Sequence, residues 1–196
     1  MDDVEEYLRN YVKTTLAASG SHGYDHIVRV TRLCEIIGRQ EQADLQILIP
    51  AALLHDIARP LEKSQGLAHE EEGARIAEEV LRAIRFDGTR ISLIASAIRT
   101  HRYRSDKMPE FLEAKILSDA DKLDAMGATG IARTFMRAGE HEGEIRDATD
   151  HITDKLLNLQ DRLYTRTGRE IGRKRHEFLK TFLEEIQSEM DLRNNS

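Results

Sequence analysis

The chain has 196 residues, with 40% apolar and 33% charged residues and only three prolines, a balance that suits one sizeable soluble globular domain and excludes a disordered or fibrous chain. A formal net charge of −6 argues against a general nucleic-acid or anionic-membrane binder, which needs a basic face to neutralise phosphates, but leaves room for a small phosphate held by local cations. Cys34 is the only cysteine, so no internal disulfide forms and a reducing cytoplasm is the expected compartment.

At the start, Met1 leads into Asp2-Asp3 rather than a basic and then apolar leader, so no secretory signal is expected. Helical periodicity dominates and alternating strand patterns are absent. The expected class is therefore all-α, a single bundle of about eight or nine helices spanning residues 1–196. Residues 2–18 form the first helix, with Val4, Tyr7, Leu8, Tyr11, Val12 and Leu16 on one stripe, and the stretch Ser19-Gly20-Ser21-His22-Gly23 breaks it. The second covers 24–41, with Ile27, Val30, Leu33, Cys34 and Ile37 inward. The third covers 44–57, with Asp44 as N-cap and Pro50 bending it. Its apolar run, Ile47 to Leu54, is too short to cross a bilayer. Residues 59–67 read as a loop, 68–85 and 87–101 as the fourth and fifth helices, and a polar loop with Pro109 follows. The sixth helix covers 110–126 and a seventh lies near 128–140 beyond Gly127 or Gly130. The last two cover about 148–165 and 168–192, the final one with Ile171, Phe178, Phe182, Ile186 and Met190 as an amphipathic stripe.

Chemistry concentrates in four residues on three of these helices: His26, the pair His55-Asp56, and Asp121. Each lies in an otherwise apolar stretch: Ile27/Val28/Val30, Ala51-Ala52-Leu53-Leu54, and Ile116/Leu117/Leu123. Buried charges need partners, and imidazoles and carboxylates converging from packed helices form a divalent-metal site, which usually means water activation. The alternative, histidines satisfied within the core and a surface carboxylate, suits any one of these residues alone better than all of them together.

The segments His22-Gly-Tyr-Asp-His26-Ile-Val-Arg29-Val, Ala51-Ala-Leu-Leu-His55-Asp56-Ile and Ser118-Asp-Ala-Asp121-Lys122-Leu-Asp124-Ala resemble, in order, spacing and apolar setting, the H…HD…D pattern of the HD superfamily of metal-dependent phosphohydrolases. The resemblance covers roughly residues 20–130, with the helices of 148–192 packing on that core as in a small stand-alone branch. It implies an HD-domain bundle, with His26, His55, Asp56 and Asp121 as metal ligands. Such a mixed nitrogen and oxygen set favours Mn, Fe, Co, Ni or Mg, with Zn also open. The absence of cysteine ligands argues against a structural zinc.

Around this set, Arg29 lies one turn after His26 and could grip a phosphate, or serve a surface ion pair. Lys122 could neutralise phosphate charge, and Asp124 could orient a ligand or act as a base. His22 is a further candidate for substrate contact. His69 and His101 could protonate a leaving group, bind phosphate, or hold a second metal; His69 could equally be an exposed helix start. Asp56 or Asp124 could take the proton of water. The basic run Arg169 to His176 reads as a solvated face. The resemblance implies hydrolysis of a nucleotide or other small phosphate ester or anhydride by a monomer or homodimer, without nucleic-acid or membrane partners. Two rivals are a sensor that binds a nucleotide without turnover and a di-iron oxygenase of the same fold.

Overall fold

The computed structural model describes residues 2–17, 23–102 and 107–191. Among them there is no strand, and no helix is long and apolar enough to cross a membrane. The chain divides into two units, Met1–Asp121 and Lys122–Ser196.

The first unit is organised by the helix α3 (Leu45–Leu54), buried all along Ile47 to Leu54. A helix apolar on every face belongs at the centre of a core. It packs against α1 (Asp2–Thr15), α2 (Tyr24–Glu41), α5 (His69–Ala83) and α6 (Gly88–Thr100). Asp44 caps α3 by accepting from Gln46 N at 2.8 Å, as the sequence indicates. The α2–α3 approach is close enough that a Cβ on Gly38 would lie 2.7 Å from Leu48 Cδ2. On α1, Leu8 and Val12 are buried, as is Leu16 just beyond it, while Tyr7 stays outside and stacks on Tyr11.

The stretch expected as a loop over 59–67 is instead a short helix, α4 (Arg59–Gln65). Pro60 sits in its first turn, where its missing N–H costs no helical bond, and Gly66, at φ +71°, ends it in the left-handed conformation. The proline that reads as a loop marker here starts a helix. The seventh helix, α7 (Leu112–Asp124), begins in the first unit and carries Asp121 in its last turns.

In the second unit, α8 (Gly127–Glu140) opens on Gly127, whose φ of +71° separates it from the preceding helix. The single helix expected over 148–165 is broken into α9 (Ile145–His151), a π turn (Ile152–Leu156) and a 3-10 segment (Leu157–Arg162). Side chains compete for its carbonyls: Thr153 Oγ1 donates to Thr149 O and Asn158 Nδ2 to Asp154 O. The last helix, α10 (Arg166–Met190), starts earlier than its glycine suggests, because Thr165 caps it by accepting from Gly168 N at 3.0 Å. Its expected stripe does not hold throughout, since Phe178 is 50% and Met190 44% exposed while Leu179 is buried. A repeat of four residues runs ahead of the helical turn by about 40° each time, so residues spaced that way wind off the buried face.

Candidate metal centre

The site is assembled at helix ends in the first unit. His26 lies in the first turn of α2, and its N–H closes that turn on Gly23 O at 3.0 Å. His55 and Asp56 follow α3, with His55 still in helical conformation (φ −56°, ψ −37°). His69 is the first residue of α5, and His101 follows α6. All five of these side chains are buried. Asp121 joins them from α7 and keeps 24% of its side chain exposed.

Two of the imidazoles use the same local device. His55 Nδ1–H donates to Ala52 O at 2.8 Å, and His101 Nδ1–H donates to Ile98 O at 2.6 Å. Each bond satisfies a carbonyl left over at a helix C-terminus. A carbonyl can only accept, so a proton is fixed on Nδ1 and Nε2 faces inward, as a lone pair when the ring is neutral and as an N–H when it is charged. His69 reaches the same state through carboxylates, its Nδ1 lying 3.1 Å from Glu62 Oε1 and 3.2 Å from Glu70 Oε2. The rings of His26, His55, His101 and His69 follow one another edge to face, with centroids 5.2, 5.0 and 5.4 Å apart.

These rings surround Asp56. Its Oδ2 lies 3.6 Å from His26 Nε2 and 3.7 Å from His55 Nε2. Its Oδ1 lies 3.4 Å from His69 Nε2 and 3.5 Å from His101 Nε2. Two groups of donor atoms result, His26/His55/Asp56 and Asp56/His69/His101, each with its atoms within 4.8 Å of one another. Asp121 Oδ1 approaches the first group through His26 Nε2, at 3.5 Å. Asp56 Oδ2, His69 Nε2 and His101 Nε2 are buried without a hydrogen-bond partner. Leaving such atoms unmatched costs about 1–3 kcal/mol each. A cation would satisfy all of them, so the donor set fits a divalent metal.

Charge is distributed accordingly. Burial pushes His55 down to about 4, the rings of His101 and His26 adding to it against the pull of Asp56. Burial, with Arg59 and His101, also lowers His69 against the pull of Asp56. His101 goes the other way: burial opposes its charge, but Asp56 and Asp121 outweigh it and raise the group. Burial would raise Asp56, yet His55, Arg59, His101 and His26 together hold it well below the usual carboxylate range. The same contest lowers Asp121, through His26, His101 and His55.

Some of the surroundings were not visible in the sequence. Arg59 Nε donates to Asp56 Oδ1 at 2.9 Å and its Nη1 to Glu62 Oε2 at 2.7 Å. Arg102 lies 3.2 Å from Glu70 Oε2 and 3.5 Å from Glu62 Oε1. Reading 59–67 as a loop hid this network. The available signal was helical spacing, Asp56/Arg59 and Arg59/Glu62 being three apart. Ser118 Oγ, buried midway along α7, donates to His101 O at 3.1 Å and ties the end of α6 to α7.

Of the other expected site residues, Arg29 is half-buried one turn beyond His26. Lys122 is buried with its ammonium 4.7 Å over the Tyr164 ring. Asp124, also buried, is ion-paired with Arg133. His22 lies outside the described residues.

Comparison with known proteins points to one family. The sequence model described as HD domain matches residues 23–126. The uncharacterized protein YpgQ of Bacillus subtilis (strain 168) is 34% identical over 200 residues, covering 94% of this chain and 93% of that protein. The crystal structure of YpgQ in complex with ADP matches with a TM-score of 0.80 at 32% identity, covering 94% of this chain and 97% of that one. An HD-superfamily hydrolase from Bacillus thuringiensis matches with a TM-score of 0.78 at 28% identity, over 97% of this chain and 98% of that one.

Proposed function

The chain belongs to the HD domain family, and on that footing we propose that it is a metal-dependent phosphohydrolase acting on a nucleotide or another small phosphate ester or anhydride. The observation that carries this is the position of Asp56, whose two oxygens each face a separate pair of histidine Nε2 atoms. The hydrolase relative and the ADP complex of YpgQ support the class and the nucleotide.

His26, His55, Asp56 and Asp121 would hold the cation, with Mn, Fe, Co, Ni, Mg or Zn compatible with nitrogen and oxygen donors. A bound divalent ion supplies Lewis acidity towards a phosphoryl oxygen and lowers the pKa of water towards about 7. The protein does the rest. Asp56 and Asp121, held ionised, keep the centre anionic enough to retain a cation, and His55, held neutral, keeps its lone pair available. Arg29, half-buried beyond His26, reaches for the phosphate. His101, raised by Asp56, carries the proton at Nε2 that a leaving oxygen needs.

The second donor group favours a second reading, in which His69 and His101 are ligands of another cation that shares Asp56. In that case the proton donor lies elsewhere, and the same donors would also suit paired irons, as in an oxygenase. Metal counting separates these possibilities. The direct test is phosphate release from nucleoside mono-, di- and triphosphates and p-nitrophenyl phosphate, before and after exhaustive chelation and with Mn²⁺, Ni²⁺ or Mg²⁺ restored. Release that disappears with the metal and returns with it is expected. A metal-loaded protein that binds nucleotide and turns over none of the panel would make it a sensor.

A further inference from the structure

The two oxygens of Asp56 are not equivalent. Oδ2, facing His26 and His55, has no hydrogen-bond partner, whereas Oδ1, facing His69 and His101, accepts from Arg59 Nε at 2.9 Å. Arg59 is anchored from behind by Glu62, 2.7 Å from Nη1, and that carboxylate also receives His69 Nδ1. Its side chain is 21% exposed, so the guanidinium reaches in from the surface rather than being sealed within the core.

We propose that Arg59 is a built-in counter-ion of the shared carboxylate, competing with a cation for the His69–His101 side and making it the weaker of the two positions. This rests on reading both histidine pairs as cation ligands. A guanidinium hydrogen-bonded to Oδ1 occupies a lone pair a ligand must offer, and its positive charge repels a divalent ion on that oxygen. The Oδ2 side has no such rival. Filling the second position requires Arg59 to yield Oδ1, and Glu62 keeps the displaced guanidinium close by.

The experiment is calorimetric titration of metal-stripped wild-type protein, Arg59→Met and Arg59→Lys with Mn²⁺, with metal per chain counted by elemental analysis and helicity followed by circular dichroism. The wild type should bind one ion tightly and a second at least about tenfold more weakly. In Arg59→Met the second affinity should rise about tenfold and the first change less than about threefold. Arg59→Lys keeps the charge and should behave as the wild type. Arg59→Gln takes the place of the methionine variant if that one loses its helical signal. An unchanged or weakened second affinity in the neutral variants overturns the proposal, because an arginine that merely steadies Asp56 gives that result. So does Arg59→Lys matching Arg59→Met. A single ion in every variant overturns it while leaving the metal centre intact, and no ion in the wild type removes the underlying reading as well.

Discussion

His55 makes the metal-free fold sensitive to mild acid, and the size of the effect follows from its surroundings. Buried after α3, it is held at about 4 against an ordinary 6.5, chiefly by burial. The unfolded chain therefore binds the proton more readily than the fold. The stabilisation is complete above the unfolded value and drains away as the pH falls from 6.5 towards the folded value. At one pH unit per 1.36 kcal/mol, the loss from this group is about 2 kcal/mol at pH 5 and about 3 kcal/mol once the folded site also protonates. Asp56 and Asp121 are lowered below the ordinary carboxylate value, so their contributions are lost only at still lower pH. His101, raised by its carboxylates, works in the opposite direction, its stabilisation being present at low pH and lost as the pH rises through its folded value. Comparing wild type with His55→Gln isolates the one histidine. Urea unfolding of the metal-stripped proteins at pH 7.5 and pH 5, read by far-ultraviolet circular dichroism, should show the wild type losing about 2 kcal/mol more than the variant. Equal losses in both proteins would refute the assignment of a neutral, desolvated imidazole to His55.

Other consequences can be checked separately. Asp121→Ala should lower cation affinity by about 100-fold or more while helicity is retained, since it removes a charged donor at a partly exposed position; full metal occupancy would count against its role. Arg29→Ala should raise KM or lower kcat by about tenfold in the phosphate-release assay, and unchanged kinetics would take it out of substrate binding. Gly38→Val should lower stability by about 2 kcal/mol, seen as a drop in Tm, because the new side chain meets the buried Leu48 at the α2–α3 contact. A neutral outcome would mean that these two helices can part without penalty.

Much of the donor cluster is legible in the sequence because its residues sit in strongly patterned stretches. His26 follows the start of an amphipathic helix, and His55-Asp56 ends an apolar run whose burial on all sides is evident in its composition. What surrounds those ligands was harder to read. Pro60 and Gly66 suggested a loop, yet they begin and end α4, and that helix presents Arg59 and Glu62 to the site. His69 read equally well as an exposed helix start, but it is buried against Asp56. Lys122 and Asp124 have a Tyr164 ring and Arg133 as partners, which their spacing from Asp121 does not disclose.

Local pattern was enough for the helical class and for most of the apolar faces, and it marked His26, His55, Asp56 and Asp121 as candidate donors. These depend on periodicity and on residue chemistry, both carried by neighbours in the chain. The division of Asp56 between two histidine pairs, and the arginine lodged on only one of its oxygens, were decided by tertiary structure. They arise where the ends of α3 and α6 meet the starts of α2, α4 and α5. A meeting of helix termini depends on how long, fully packed helices stack, and no short stretch of sequence encodes that.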